Sequence, residues 1–131
     1  MHCVGLDLAY WPLVKDAIQE ALGRDGGRLS IDDMYALIKN NDMQLWAIHD
    51  GSIHAVMTTE IINYKQMRSV RIITVTGKDS EQWLDLLIET IDAWGAENGA
   101  TAIEFVGRKG WEKVLSNRGF GNTQIFMTKT I

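Results

Sequence analysis

Apolar positions along this chain follow two periods, and the changes between them mark out the elements. Over residues 13–22, Leu13, Val14, Ala17, Ile18, Ala21 and Leu22 fall at helical spacing. The Trp11-Pro12 step ahead of them suits a first helical turn, and Gly23 with the glycine-rich run after it ends the helix. A second helix is predicted over residues 31–39, burying Met34, Leu37 and Ile38. Ser30 is its N-cap, Asp33 stands in the capping-box position, and Asn40-Asn41-Asp42 closes it. The pattern then shortens to β-branched, partly alternating runs over residues 44–49, 52–63 and 67–76, an antiparallel meander. Asp50-Gly51 between the first two reads as a two-residue type I′ turn, which needs positive φ at both positions and pairs His49 with Ser52. Residues 1–10 suggest a short edge strand.

The helical period returns after residue 82. Leu84, Leu87, Ile88, Ile91 and Trp94 form one stripe, Asp85, Glu89, Asp92 and Glu97 the opposite face, and Asn98-Gly99 the C-terminal stop. Residues 100–106 are short and apolar enough for a buried strand beside the third meander strand. A helical crossover returns it parallel and right-handed. Residues 107–110 turn the chain, residues 111–117 form a short helix ended by Gly119, and residues 124–130 read as a last strand. The fold class is therefore α/β (α+β): a mixed sheet made of an antiparallel meander plus a βαβ crossover, with about four helices.

Composition narrows the function classes. The chain has 131 residues, 46% of them hydrophobic, which suits a single domain over 1–131 with a substantial core. A net charge of −4 argues against nucleic-acid binding and against anionic membrane surfaces. No apolar run approaches the roughly 18 residues of a membrane span, and the N-terminus lacks the basic start and apolar core of a signal peptide. Cys3 is the only cysteine, so neither an internal disulfide nor a cysteine zinc site is expected. His2, His49 and His54 are scattered without metal-ligand spacing. The expected setting is a reducing cytoplasm. The five tryptophans are read first as core residues.

Three local features carry a resemblance. The long helix leads into the next strand through Ala93-Trp94-Gly95-Ala96-Glu97-Asn98-Gly99-Ala100. The short helix closes with Asn117-Arg118-Gly119-Phe120. A last strand is read soon after. With the element order, these resemble the GCN5-related N-acetyltransferase (GNAT) fold over about residues 45–131. Gln44-Leu45-Trp46, Trp83-Leu84 and the segment from Gly107 through Arg108, Lys109, Gly110 and Trp111 to Val114-Leu115 are similar to small GNAT-like proteins of tailed phages and prophages.

The resemblance implies acetyl-CoA between strands 70–76 and 101–106, with its pantetheine arm along Ile73, Thr74, Val75, Thr76 and Gly77. The pyrophosphate would rest on the loop that follows, normally Arg/Gln-x-x-Gly-x-Gly/Ala. Lys78 takes the basic position there, but Glu81 and Trp83 take the two small ones. Leu115 stands where many relatives place a proton-donating Tyr. Glu60 and Glu104 are the candidate general bases, and Glu104 has Arg71 or Arg108 as an alternative ion-pair partner. Arg108, between two glycines at a strand end, and Trp111 are candidates for a cleft or partner contact. The implied function is an acetyl-CoA-dependent N-acyltransferase with a divergent cofactor loop. The alternative is a catalytically inactive GNAT-like protein in virion assembly or host-protein binding, with a phage structural or host protein as partner, or a homodimer, in the host cytoplasm or the virion. No metal is implied.

Overall fold

The computed structural model describes residues 1–23, 27–124 and 127–131. Helix α1 (Trp11–Leu22) and helix α2 (Ile31–Lys39) form where the helical period runs. Pro12 lies in the first turn of α1. Both capping-box bonds of α2 are made: Asp33 N–H donates to Ser30 Oγ at 3.1 Å, and Ser30 N–H to Asp33 Oδ2 at 2.9 Å. Asn41 stops α2 in the left-handed region (φ 61°) while Asp42 N–H reaches back to the Leu37 carbonyl.

The sheet is built from β1 (His2–Leu6), β2 (Gln44–His49), β3 (Ile53–Asn63), β4 (Arg68–Gly77) and β5 (Ala102–Phe105), in spatial order β1-β2-β3-β4-β5. The first three pairings are antiparallel and β4–β5 is parallel, joined by helix α3 (Leu84–Glu97). Helix α4 (Gly110–Ser116) follows β5. The first strand is present as the expected edge of the sheet.

Alternation divides the core in two. Leu45 and Val56 face α1 and α2, packing with Val14, Ile18, Met34 and Ile38. Trp46, Ile48, Ala55, Met57, Val70 and Ile72 face α3 and α4, packing with Trp83, Leu87, Ile91 and Leu115. Gly95 lets α3 lie close to the sheet, since a Cβ there would stand 3.0 Å from Val70 Cγ2. Trp94 meets Trp46 edge to face at 5.3 Å.

Two sequence expectations change. The β2–β3 connection is not a two-residue type I′ turn. Gly51 has positive φ (110°) but Asp50 does not, so the loop takes in Ser52 as well. His49 pairs with Ile53 and Ile48 with Ala55, leaving His54 as an extra, bulged residue whose Nε2 lies 2.5 Å from Asp50 Oδ1. Of the last expected strand, Ile125 and Phe126 lie outside the described residues, and the described residues on either side of them carry no strand. The residues 24–26 of the loop after α1 also lie outside the described residues.

Candidate functional site

Strand β4 outlasts its parallel neighbour. The β4–β5 rows run from Ser69 with Ala102 to Ile72 with Phe105, and there β5 ends. Strand β4 continues to Gly77, still paired to β3, so residues 73–77 present an edge toward the space that β5 has left. The parting coincides with a bulge. Thr58 pairs with Thr74 and Thr59 with Ile72, which leaves Ile73 without an opposite residue. Side-chain alternation shifts with it: Ile72 and Val75 pack toward α3, Ile73 toward α1 and α2.

The bulge is braced on both sides. The buried hydroxyls of Thr58 and Thr74 share a 2.6 Å hydrogen bond. Thr59 Oγ1 accepts from Trp46 Nε1 and donates to Gln44 Oε1, both at 2.9 Å. The Gln44-Leu45-Trp46 motif thus has a mechanical reading. Its two polar side chains converge on Thr59 while Leu45 faces the opposite core.

Beneath the parting lies a polar row. Glu60, Arg71 and Glu104 are in register across β3, β4 and β5, so their side chains share one face. Arg71 Nη2 and Nε donate to Glu104 Oε1 at 2.8 and 3.1 Å, and Tyr64 Oη donates to the same oxygen at 3.0 Å. Burial pushes the Glu104 carboxyl up, but hydrogen bonds from Arg71 and Tyr64 and the Arg71 charge outweigh it and hold the group below its ordinary value. The hydrogen bond to Glu104, then burial, raises the Tyr64 phenol. Of the two sequence candidates for a base, Glu104 is a paired carboxylate, whereas half-buried Glu60 has no side-chain partner among the described residues. Tyr64 carried no sequence signal; it enters because the β3–β4 turn, closed by Tyr64 N–H to the Met67 carbonyl, brings it back over the sheet.

The loop after β4 keeps its tryptophan inside. Trp83 is 2% exposed, and its Nε1 donates to the Lys78 carbonyl at 2.7 Å, folding residues 78–83 over the indole. A short 3₁₀ turn, Ser80–Gln82, uses the Gln82 and Trp83 N–H groups internally, on the carbonyls of Asp79 and Ser80. Lys78, Asp79 and Glu81 remain on the exposed side. Gly77 is required where β4 meets this loop, because a Cβ would stand 2.5 Å from the His54 carbonyl oxygen.

On the other side of the parting, Phe105 stacks at a tilt against Trp111, with centroids 5.6 Å apart. The chain closes over the Phe105 ring at Gly107, where a Cβ would lie within contact-forbidden range of the ring carbons. Arg108 and Lys109 follow, exposed. Leu115 is buried in the α3-side core. Arg118 ties α4 to α3 by donating to Asp85 Oδ1 at 2.7 Å and to the Val114 carbonyl at 2.8 Å. The structure therefore brings Ile73, Thr74, Val75, Thr76, Gly77 and Lys78 along one edge, Glu60 and Glu104 beneath it, and Arg108 and Trp111 across from it.

No family model and no curated protein matches the sequence. Solved structures do. A probable acetyltransferase superposes with a TM-score of 0.79 at 14% identity, covering 100% of this chain and 97% of its own. A GCN5-related N-acetyltransferase from Ralstonia eutropha gives 0.77 at 18% identity, covering 99% and 97%. The fold is that of the GCN5-related N-acetyltransferases. A protein from Clostridium acetobutylicum described as a predicted acetyltransferase and solved with acetyl-CoA has the same GNAT architecture, with a TM-score of 0.72 at 16% identity over 98% of this chain and 95% of its own. At these identities the likeness concerns the fold. Among the described residues no group of His, Cys, Asp and Glu is arranged to hold a metal ion, and no helix is long and apolar enough to cross a membrane.

Proposed function

We propose that the chain is an acetyl-CoA-dependent N-acyltransferase in which the pantetheine arm pairs with residues 73–77 of β4. The observation that carries this reading is the run of β4 beyond Phe105, braced at its bulge by Thr58, Thr59 and Thr74. An extended amide-bearing arm adds to a free strand edge through main-chain hydrogen bonds, which ask nothing of the side chains. Ile73, Thr74, Val75, Thr76 and Gly77 therefore fit the arm, and Lys78 stands exposed at its end. Inward-turned Trp83 places no bulk on the outer face of the loop, whereas exposed Asp79 and Glu81 do not suit a pyrophosphate.

Bound acetyl-CoA supplies the thioester that an acceptor amine attacks. On this reading Glu60 receives the proton of the incoming ammonium group. Arg71 and Tyr64 keep Glu104 ionised and occupied, so it supports the row rather than accepting that proton. Leu115 has no proton to give, so as the nitrogen–carbon bond forms and the carbon–sulfur bond breaks the sulfur leaves as a thiolate, which takes up through solvent the second proton shed by the acylated nitrogen.

Ligand that binds only the folded state must stabilise it. Acetyl-CoA at millimolar concentration is expected to raise the melting temperature and to be consumed in the presence of an acceptor amine. No shift in melting temperature overturns the proposal.

Buried Leu115 and the acidic loop favour a second reading: a GNAT-like scaffold without catalysis that binds a phage structural or host protein, or a second copy of itself, in the host cytoplasm or the virion. A chain that stays monomeric by light scattering and retains nothing from infected or lysogenic cells counts against it.

A further inference from the structure

The two loops that flank the parting of β4 and β5 carry opposite charge. Both leave the C-terminal ends of parallel strands, so they stand at the same end of the sheet. The loop after β4 exposes Asp79 and Glu81 beside Lys78. The segment after β5 exposes Arg108, Lys109 and Lys113, and none of these side chains has a hydrogen bond or ion pair among the described residues. Lys109 and Lys113 are four residues apart through the first turn of α4, so they lie one above the other. The only acid between them, Glu112, accepts from Asn122 Nδ2 at 2.9 Å.

This basic segment is fixed in place. Gly107 closes onto the Phe105 ring, Trp111 packs against the same ring, and Trp111 N–H donates to the Arg108 carbonyl at 3.0 Å. Arg108 and Lys109 are therefore held at the end of β5, across the slot from residues 73–77. Cations left unpaired in a chain of net charge −4 concentrate positive potential there. An anion leaving the slot meets like charge on one wall and opposite charge on the other.

We propose that Arg108, Lys109 and Lys113 hold the phosphate-bearing end of the acyl donor, on the β5–α4 side of the slot, in place of the β4–α3 loop. This rests on the acyl-CoA reading above. The donor then enters with its pantetheine arm on β4 and its phosphates turned toward β5. Arg108 offers a fork to a phosphate, and the two lysines add charge without demanding one orientation.

The test measures binding of acetyl-CoA and of S-acetyl-pantetheine, which has the arm but no phosphate, to the full chain by calorimetry. The variants are Arg108→Ala/Lys109→Ala/Lys113→Ala and, separately, Lys78→Ala. All four sites are exposed, and an unchanged melting temperature of the free variants checks the fold. The triple variant is expected to bind acetyl-CoA about tenfold or more weakly, with a flatter salt dependence, since charge-assisted contacts are lost. Its binding of S-acetyl-pantetheine is expected to match the unsubstituted chain, and Lys78→Ala is expected to change acetyl-CoA binding less than the triple variant does. Acetyl-CoA binding that survives the triple substitution, or falls more with Lys78→Ala, overturns this inference and leaves the acyltransferase reading standing. A chain that binds neither compound overturns both.

Discussion

Arg71 and Glu104 face each other across the parallel pair β4–β5, Nη2 to Oε1 at 2.8 Å, one row before the two strands part. Both side chains keep partial contact with water, 32% and 25% exposed, so the pair is worth about 1 kcal/mol or less. Its place matters more than its strength. It cross-links the strands just below the point where backbone pairing ends. Glu104→Gln is expected to lower the urea midpoint slightly at neutral pH. Because the folded-state carboxyl is held below its ordinary value, its stabilising contribution is complete above the ordinary glutamate range and is lost as pH falls through that range and below. Stability of the unsubstituted chain should therefore fall more steeply with acid than that of Glu104→Gln. Parallel curves would remove the Arg71–Glu104 pair from the acid response.

Trp83 is the second test. Trp83→Ala removes a buried indole and is expected to cost about 3–5 kcal/mol of unfolding free energy. Trp83→Phe keeps most of the packing and gives up the bond to the Lys78 carbonyl, at about 1 kcal/mol. Equal losses would show that the hydrogen bond, rather than the filled volume, holds the loop.

Gly77→Ala is expected to destabilise the chain by about 1–3 kcal/mol, because the new methyl group meets the His54 carbonyl and Ala55 Cβ, neither of which can swing away. It should also weaken acetyl-CoA binding, since Gly77 ends the proposed docking edge. Unchanged stability would mean that the β3 hairpin yields there.

Glu60→Gln is expected to reduce acyl transfer by about 10²–10⁴-fold with little effect on acetyl-CoA binding, the signature of a general base. Comparable loss in Glu104→Gln would shift that role to the paired carboxylate.

Much of the architecture was legible because local chemistry and global fold agreed. Ser30 and Asp33 announced α2 and made both cap bonds. The Leu84, Leu87 and Ile91 stripe is buried against the sheet, and Asn98-Gly99 ends α3 with Gly99 at φ 80°. The hairpin was misread because Asp-Gly names a turn without fixing its length. The decisive fact, the bulged His54, is a matter of pairing between strands. The candidate site was legible only as a stretch of chain. Where β5 stops and which residue of β4 loses its opposite are tertiary outcomes with no local signature, whereas the burial of Trp83 agrees with the first reading of the tryptophans as core residues. Glu81 and Trp83 occupy neighbouring positions of one motif, yet one lies outside and the other inside. Strand register selects Arg71 over Arg108 as the partner of Glu104, and the β3–β4 turn adds Tyr64 to the polar row.

The early end of β5 has a consequence for what can enter. An exposed strand edge at the rim of a sheet accepts a new strand of any protein, because nothing limits what lies beyond it. The edge at residues 73–77 is interior, with the β5–α4 turn still standing opposite. Adjacent paired strands are spaced about 4.8 Å apart, so what joins such an edge by main-chain hydrogen bonds joins it as one extended chain. On the proposed reading, whatever joins this edge is measured by its thickness before any charge or side chain is consulted, and an extended amide-bearing arm is as thin as a strand.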